Sequence, residues 1–144
     1  MMKRIILTSL IGLVTLASCS SEPTVDERAA SFAELIDVPT TMKFEESSFD
    51  FGTIVDGEQV GTTFKFENSG DEDLVLISVK ASCGCTVAEE WPKERIAPGD
   101  SGEIKIKFDS KGRAGVIRKT IKIEANTLPS VTILTLTGEV RPKL

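Results

Sequence analysis

The sequence predicts an all-β protein, a sandwich of two sheets built from about seven short strands. From Met42 onward, hydrophobic residues recur at every second position, which is the period of a strand with one buried and one solvated face. Turn-forming residues separate these runs, and no convincing helical pattern lies between them. Short strands at this spacing over roughly 100 residues are typical of a two-sheet sandwich.

The strands can be assigned in chain order from their alternating inward positions. These positions are Phe49 and Phe51; Val60, Thr62, Phe64 and Phe66; Val75, Ile77 and Val79; Ile104, Ile106 and Phe108; Ile117, Ile121 and Ile123; and the run from Val131 to Val140. The predicted turns are Asp56-Gly57, Asn68-Ser69-Gly70-Asp71, Ala97-Pro98-Gly99-Asp100, Lys111-Gly112 and Leu128-Pro129-Ser130. Lys119 interrupts the inward series of its strand. The runs 74–77 and 131–136 are apolar on both faces, which indicates a central strand or an exposed edge.

The N-terminal segment has the pattern of a secretory signal peptide. Lys3 and Arg4 precede an apolar run of 13 residues, 5–17. This run is shorter than the roughly 20 residues that a membrane span needs. It ends in Leu16-Ala17-Ser18-Cys19, which resembles the bacterial lipobox, where the cysteine is lipidated and becomes the new N-terminus. We therefore expect a signal peptide at 1–18 and acyl chains such as palmitate on Cys19; an ordinary signal peptide with a chance cysteine is the alternative.

Residues 19–41 are predicted to be the lipidated cysteine and a tether, followed by one β-sandwich domain at 42–144. The tether contains Pro23 and Pro39 and is mostly acidic. Its apolar residues Ala29, Phe32, Ala33 and Ile36 are spaced at helical intervals. Isolated helices this short are marginal in water, so a solvated spacer is favoured over a stable helix.

Composition excludes several classes of function. The formal net charge is −5, from 17 basic and 22 acidic residues, which argues against a nucleic-acid-binding protein. The sequence contains no histidine, so Ser-His-Asp and Cys-His catalysis and histidine-ligated zinc are all excluded. No nucleophile and base are recognisable, and we expect a protein that is not an enzyme.

The Cys83-Gly84-Cys85 sequence is the one chemical feature of the expected domain. On an extended strand the two Cα atoms would lie about 6.6 Å apart, whereas a disulfide prefers about 5.5–6 Å. A turn at Gly84, which tolerates unusual φ angles, would allow a small, strained and easily reduced ring. Two thiolates can instead bind a soft ion such as Cu(I). A purely structural pair at a strand end and an intermolecular disulfide or other partner contact are the remaining alternatives. The metal therefore stays unassigned; structural zinc needs four ligands.

Two further groups are weaker candidates. Trp91 is either an exposed binding aromatic or, more in keeping with a small sandwich, a core or rim residue. Basic residues gather around one predicted hairpin loop: Lys111, Arg113, Arg118 and Lys119. A solvated loop is the simpler interpretation, and contact with lipid headgroups is the alternative.

Five short sequence elements also occur in the order of a known family. They are Phe49-Asp50-Phe51-Gly52-Thr53-Ile54, Phe66-Glu67-Asn68-Ser69-Gly70, Ala81-Ser82-Cys83-Gly84-Cys85-Thr86, Ile96-Ala97-Pro98-Gly99 and Gly138-Glu139-Val140. Over residues 44–140 the chain resembles the bacterial domain of unknown function 1573 family. The resemblance implies an immunoglobulin-like sandwich, similar to those of pilus chaperones, in a secreted or lipid-anchored envelope protein. No activity follows from the resemblance. We expect no cofactor.

The favoured function is that of a non-catalytic, membrane-anchored lipoprotein of the bacterial cell envelope with a binding or structural module. Its expected partners are the membrane, through the N-terminal lipid, and another envelope protein. Ser20-Ser21 follow the lipidated cysteine without an immediate acidic residue, which favours the outer membrane by analogy with sorting rules in some bacteria. The alternative function is redox chemistry or copper(I) handling by Cys83 and Cys85.

Overall fold

The computed structural model describes residues 38–144; the expected signal peptide, Cys19 and most of the expected tether lie outside the described residues. Eight strands form the described part, and it contains no helix. Their bounds are β1 Met42–Phe44, β2 Ser48–Val55, β3 Gln59–Asn68, β4 Leu76–Ala81, β5 Thr86–Glu90, β6 Ser101–Asp109, β7 Gly115–Ala125 and β8 Val131–Arg141. Within these residues, nothing helical is long or apolar enough to cross a bilayer.

The strands form two four-stranded sheets, which confirms the predicted all-β sandwich. One sheet has the order β1-β3-β6-β5, and the other has the order β2-β8-β7-β4. The paired strands are antiparallel except β2 and β8, which run parallel. The sequence did not separate β1 from β2. After β1 pairs with β3, residues 45–47 carry the chain to the second sheet, where β2 pairs with β8.

The inward side chains of both sheets form the core that the alternation predicts. A main cluster includes Phe64, Phe66, Ile104, Ile106, Ile121, Ile123 and Leu134, each at most 3% exposed. A smaller group, called the lower cluster here, consists of Cys85, Phe108, Ile117, Leu136 and Val140. Burying one large apolar side chain stabilises a fold by about 1.5–3 kcal/mol. The core therefore extends along the sandwich and reaches one of the cysteines.

The two runs that are apolar on both faces occupy different places in the second sheet. The run 131–136 belongs to β8, a central strand between β2 and β7, whereas β4 lies at the edge. The pairing of β4 with β7 shifts between Leu76 and Ser78, and Ile77 is 42% exposed. The predicted inward position of Ile77 is therefore wrong, because a bulge adds one residue and reverses the alternation.

The sandwich has two ends, which follow from the strand directions. The upper end holds residues 38–41 and the loops 69–75, 91–100 and 126–130. The lower end holds the turns 56–58, 82–85 and 110–114. The cysteine pair thus lies at the lower end, while the chain arriving from the N-terminus joins the domain at the upper end.

Candidate functional site

The Cys83-Gly84-Cys85 sequence forms the turn between β4 and β5, where the chain crosses from one sheet to the other. The two Sγ atoms form a disulfide, and the Cα atoms are 5.3 Å apart. The backbone turns here because the N–H of Thr86 donates to the carbonyl of Cys83 at 3.2 Å. Of the arrangements left open by the sequence, the structure contains the local disulfide.

Gly84 closes this turn without the unusual φ angle that we expected of it. Its φ is not positive, and a Cβ atom at this position would meet no other atom within 4 Å. Gly84 is also exposed. The outer side of the disulfide ring is therefore open to an approaching molecule.

The two sulfur atoms have different surroundings. Cys85 is 4% exposed and belongs to the lower cluster, whereas Cys83 is partly exposed and packs against the side of that cluster. The Oγ1 atom of buried Thr86 lies 3.8 Å from the Sγ of Cys83 and 3.9 Å from the Sγ of Cys85. Because neither sulfur of a disulfide carries a proton, the hydroxyl is the donor. Thr86 occurs in the family element but was given no role there, although its position directly after Cys85 was a usable signal.

Lys119 lies beside the cysteine turn through the register of β4 and β7. Ala81 is opposite Ile121, and the N–H of Ser82 donates to the carbonyl of Thr120 at 2.9 Å. Extending this register beyond the end of β4 at Ala81 places Lys119 of β7 next to the cysteine turn. Since side chains alternate along a strand, Lys119 shares the inner face with buried Ile121. The irregularity noted in the sequence is thus a half-buried lysine on the part of β7 beside the cysteine turn.

Charged groups along β5 and β6 make hydrogen bonds or ion pairs at the surface of their sheet. The carboxylate of Asp109 accepts from the N–H of Lys111 at 2.9 Å, which lowers the pKa of Asp109 below its usual 3.8. Glu90 and Lys105 form an ion pair at 2.7 Å. This hydrogen-bonded pair lowers the pKa of Glu90 and raises that of Lys105. Both groups are exposed, so the pair is a solvated surface feature.

Trp91 and Met42 are placed away from the disulfide. Trp91 is half-buried against the main cluster, and the Nζ of Lys93 lies 2.8 Å from the centre of its ring. Burial lowers the pKa of Lys93. Met42 packs against the main cluster on β1, opposite Asn68 at the upper end. It is therefore remote from the lower cluster and gives no third ligand for a copper ion at the cysteines.

Two further predictions concern the lipid attachment at Cys19 and a possible metal site. Cys19 lies outside the described residues, and its lipidation stays a prediction. Within 38–144, no group of three or more His, Cys, Asp or Glu side chains is placed to hold a metal ion. The thiols that reduction would release from Cys83 and Cys85 are the soft ligands that this site offers.

Comparison with known proteins agrees with this description of the domain. A family model described as a protein of unknown function, DUF1573, matches residues 42–140. The chain belongs to the DUF1573 family. No curated protein matches it. The match to DUF1573 thus confirms the resemblance noted in the sequence. The description of the family names no activity.

Solved structures similar to this DUF1573 domain share its fold at low identity. A protein of unknown function from Porphyromonas gingivalis W83 has a TM-score of 0.60 and 22% identity, over 70% of this chain and 47% of that one. PapD-like domain 7 of human CEP192 has a TM-score of 0.59 and 13% identity, over 94% and 100%. The secreted serine protease VesC from Vibrio cholerae has a TM-score of 0.55 and 11% identity, over 79% and 25%. The chain thus spans about half of the Porphyromonas protein and a quarter of VesC, and these likenesses establish an immunoglobulin-like, PapD-like sandwich.

Proposed function

We propose that this protein is a lipid-anchored, non-catalytic module of the bacterial cell envelope, in the outer membrane, that binds another envelope protein. The N-terminal pattern ending at Cys19 supports the lipid anchor. The domain would then stand on the membrane through the tether, attached by its upper end. Two or more acyl chains hold a soluble domain stably to a bilayer, whereas one does not.

An uncovered strand edge in the first sheet supports the binding role. β1 pairs with β3 only through residues 66–68, and the N–H of Glu45 adds one bond to the carbonyl of Lys65 at 3.0 Å. Residues 59–64 of β3 therefore have no described strand on that side. An exposed row of backbone donors and acceptors is a template on which an extended peptide can add as a strand.

The register shows which backbone groups face this edge. The carbonyl of Lys65 points toward β1. In a strand, the N–H and C=O of one residue point to the same side, and every second residue points to that side. The backbone groups of Gln59, Gly61 and Thr63 therefore point to the uncovered edge. The intervening residues face β6 in the ladder. A proline at Thr63 would thus remove an edge donor without removing a bond to β6.

The test is site-specific crosslinking in native membranes with a photoreactive residue at Thr63. We expect a crosslinked envelope protein, and we expect Thr63→Pro to abolish its co-purification. Thr63→Val keeps the N–H and should retain the partner, and a crosslinker at exposed Glu139 on the opposite sheet should capture nothing. Equal capture by the proline and valine variants would exclude strand addition at this edge.

The lipid anchor needs its own experiment. Cys19→Ala should abolish labelling by radioactive fatty acid and release the protein from the membrane fraction. Cys83→Ala, another cysteine variant, should be labelled normally. Unchanged labelling of Cys19→Ala would exclude this residue as the attachment site.

The second candidate function is redox chemistry or copper(I) handling at Cys83 and Cys85. It is favoured by the disulfide on an open turn, since exposed local disulfides belong to the labile class. Thiol titration before and after mild reduction, with copper and zinc uptake measured on the same sample, tests it. Two thiols appearing together would support redox chemistry, and copper uptake by the reduced form alone would support metal handling. If the disulfide resists reduction in the folded protein, the redox and copper functions are excluded and the bond is a structural element.

A further inference from the structure

We propose that the disulfide exchanges with thiols at the Sγ atom of Cys83, that Cys85 is the buried leaving sulfur, and that Lys119 is a positioning cation. This inference rests on the redox function proposed above as the second candidate. It adds which sulfur is attacked and which side chains direct the attack.

Accessibility assigns the attacked sulfur. The lower cluster shields Cys85 from solvent. Cys85 is 4% exposed and packs among Phe108, Ile117 and neighbouring apolar residues. Cys83 is partly exposed and adjoins exposed Gly84, where an added Cβ atom would meet nothing within 4 Å. Exchange requires an attacking thiolate in line with the bond that breaks, so an incoming thiol can reach Cys83 and is excluded from Cys85.

The proposed exchange takes place in two successive thiol attacks. A small-molecule or peptide thiolate attacks the Sγ of Cys83 and forms a mixed disulfide with it. The bond between the two protein sulfurs breaks, and its electron pair leaves on Cys85, which takes a proton from water. A second thiol then attacks the mixed disulfide, which releases an oxidised disulfide of the thiol and leaves two reduced cysteines. The protein gains two electrons, and two thiols lose them.

Thr86 and Lys119 are the two polar side chains to which we assign a role in this step. The hydroxyl of Thr86 lies within 4 Å of both sulfur atoms and donates toward them, so it can stabilise charge developing on Cys85 in an apolar site. In the reverse direction, the ammonium of Lys119 stabilises the thiolate of Cys83, because a neighbouring cation favours the charged form of a thiol. Oxidation and reduction thus both proceed through Cys83.

Other charged groups on the surrounding strands face away from the sulfur atoms. They are Lys80 of β4, which lies opposite Lys122, Arg118 of β7, which lies opposite Thr137, and Asp109 of β6, which bonds to the turn at Lys111. Glu89 and Glu90 of β5 pair with Lys107 and Lys105. Lys119 differs from these groups because strand alternation puts it on the same face as buried Ile121, and the register of β4 and β7, extended past Ala81, brings it next to the cysteine turn.

The first experiment compares single-cysteine variants of the full-length chain, with Cys19→Ser present throughout to remove the third thiol. Each free thiol is treated with the aromatic disulfide 5,5′-dithiobis(2-nitrobenzoate). We expect the Cys83 thiol in Cys85→Ser to react at least about tenfold faster than the Cys85 thiol in Cys83→Ser, because exposure and thiolate fraction both favour it. Equal rates, or faster reaction of Cys85, would overturn the assignment.

The second experiment tests Lys119 in the Cys85→Ser background. Lys119→Met should slow the reaction of Cys83 at pH 7 by about tenfold and move its pH–rate profile to higher pH, since a one-unit change in thiol pKa alters the thiolate fraction tenfold. Lys119→Arg should restore the rate, and Arg118→Met, on the opposite face of the same strand, should leave it unchanged. A packing role alone would leave the pH profile in place, and that result would exclude Lys119 as the positioning cation.

The assignment of Cys83 as the attacked sulfur and the redox function itself can fail independently of each other. The redox function fails if the wild-type disulfide cannot be reduced by thiols in the folded protein. The preference for Cys83 is measured on variants that contain no disulfide, so it can fail independently. Circular dichroism of each variant verifies that the sandwich is intact.

Discussion

Gly138 shows how a single residue is fixed by its packing in this domain. It lies within β8, and the ring of Phe51 from the neighbouring strand β2 packs directly over its Cα. A Cβ atom at Gly138 would overlap that ring. Gly61 is also a strand glycine, but a Cβ atom there would meet nothing within 4 Å. The first glycine is therefore required by packing, and the second is not.

We predict that Gly138→Ala destabilises the domain by about 1–3 kcal/mol, because the added methyl group must displace the Phe51 ring. Gly61→Ala should be neutral or stabilising by about 0.5 kcal/mol, since alanine loses less backbone entropy than glycine in a strand. Urea unfolding of both variants measures the difference. Equal stabilities of the two variants would show that the Phe51 ring moves aside without cost.

Asn68 is a buried polar residue that holds the loops of the upper end together. Its amide oxygen accepts from the hydroxyl of Thr40 at 2.9 Å and from the N–H of Gly70 at 3.2 Å. Its amide nitrogen donates to the carbonyls of Glu72 and Ile96, each at 2.8 Å. All hydrogen-bonding positions of the amide are thus used, as a fully buried side chain requires.

Asn68→Ala should cost about 2–4 kcal/mol of unfolding free energy, because each buried partner left unsatisfied costs about 1–3 kcal/mol. The neighbouring Ser69→Ala removes only a long, exposed hydrogen bond of 3.4 Å. It should therefore change the stability by less than about 0.5 kcal/mol. Chemical denaturation of the two variants provides the comparison, and similar midpoints would contradict the role assigned to Asn68.

At the scale of elements, the turn between β4 and β5 is one of the short connections that carry the chain from one sheet to the other. Its disulfide encloses only residues 83–85. By the chain-entropy argument, a ring of three residues stabilises a fold by about 1.5 kcal/mol, compared with about 3 kcal/mol for a ring of 15. The bond is thus a local feature rather than the support of the sandwich.

Reduction of the Cys83–Cys85 disulfide should leave the sandwich folded and lower its unfolding free energy by about 1.5 kcal/mol or less. The measurement is thermal or urea unfolding of oxidised and reduced protein. The double variant Cys83→Ser with Cys85→Ser is the control, whose stability should not respond to reductant. Unfolding upon reduction would refute the local-site interpretation and give the bond a structural role.

The upper end of the whole domain also includes residues before Met42. The N–H of Thr40 donates to the carbonyl of Asn126 at 2.8 Å, and the N–H of Ser69 donates to the carbonyl of Thr41 at 2.9 Å. Together with the bond from Thr40 to Asn68, these contacts attach the end of the expected tether to the sandwich. The folded unit therefore includes residues that the sequence pattern assigned to the tether.

A fragment of residues 38–144 should fold with a β-type circular dichroism spectrum. A fragment of residues 42–144 should also fold but be less stable by about 1–3 kcal/mol, because partners of Thr40 and Thr41 lose their hydrogen bonds. Comparing their melting temperatures tests this, and equal values would show that residues 38–41 add nothing to the domain.

The pH dependence of stability follows from which groups titrate. No histidine is present, and the lowered pKa values of Asp109, Glu90 and Glu124 lie below their usual 3.8, 4.5 and 4.5. For Glu124, hydrogen bonds from Lys122 and Ser78 lower the pKa. A carboxylate with a lowered folded-state pKa contributes stability above its unfolded pKa and loses it as the pH falls through the folded pKa.

We therefore expect a constant melting temperature between about pH 5 and 8. Below pH 4.5, the usual pKa of glutamate, it should decline modestly because the carboxylates involved are exposed. The pKa of Lys105 is raised from 10.5, so its contribution disappears only as the pH rises above that value. Glu124→Gln should flatten the acid decline slightly. A stability transition centred between pH 5 and 8 would contradict this account.

Sequence alone determined the strand-forming segments, the two-sheet class and the buried positions such as Phe66, because these depend on local alternation and turn chemistry. It also determined the family, through the Ser-Cys-Gly-Cys-Thr element and its neighbours. Only the tertiary structure decided that β1 and β2 lie in different sheets, that Ile77 faces solvent, and that the part of β7 holding Lys119 runs beside the cysteine turn. These features depend on register between strands far apart in the chain. Periodicity gives the faces of a strand, whereas register is fixed by the packing of both sheets together.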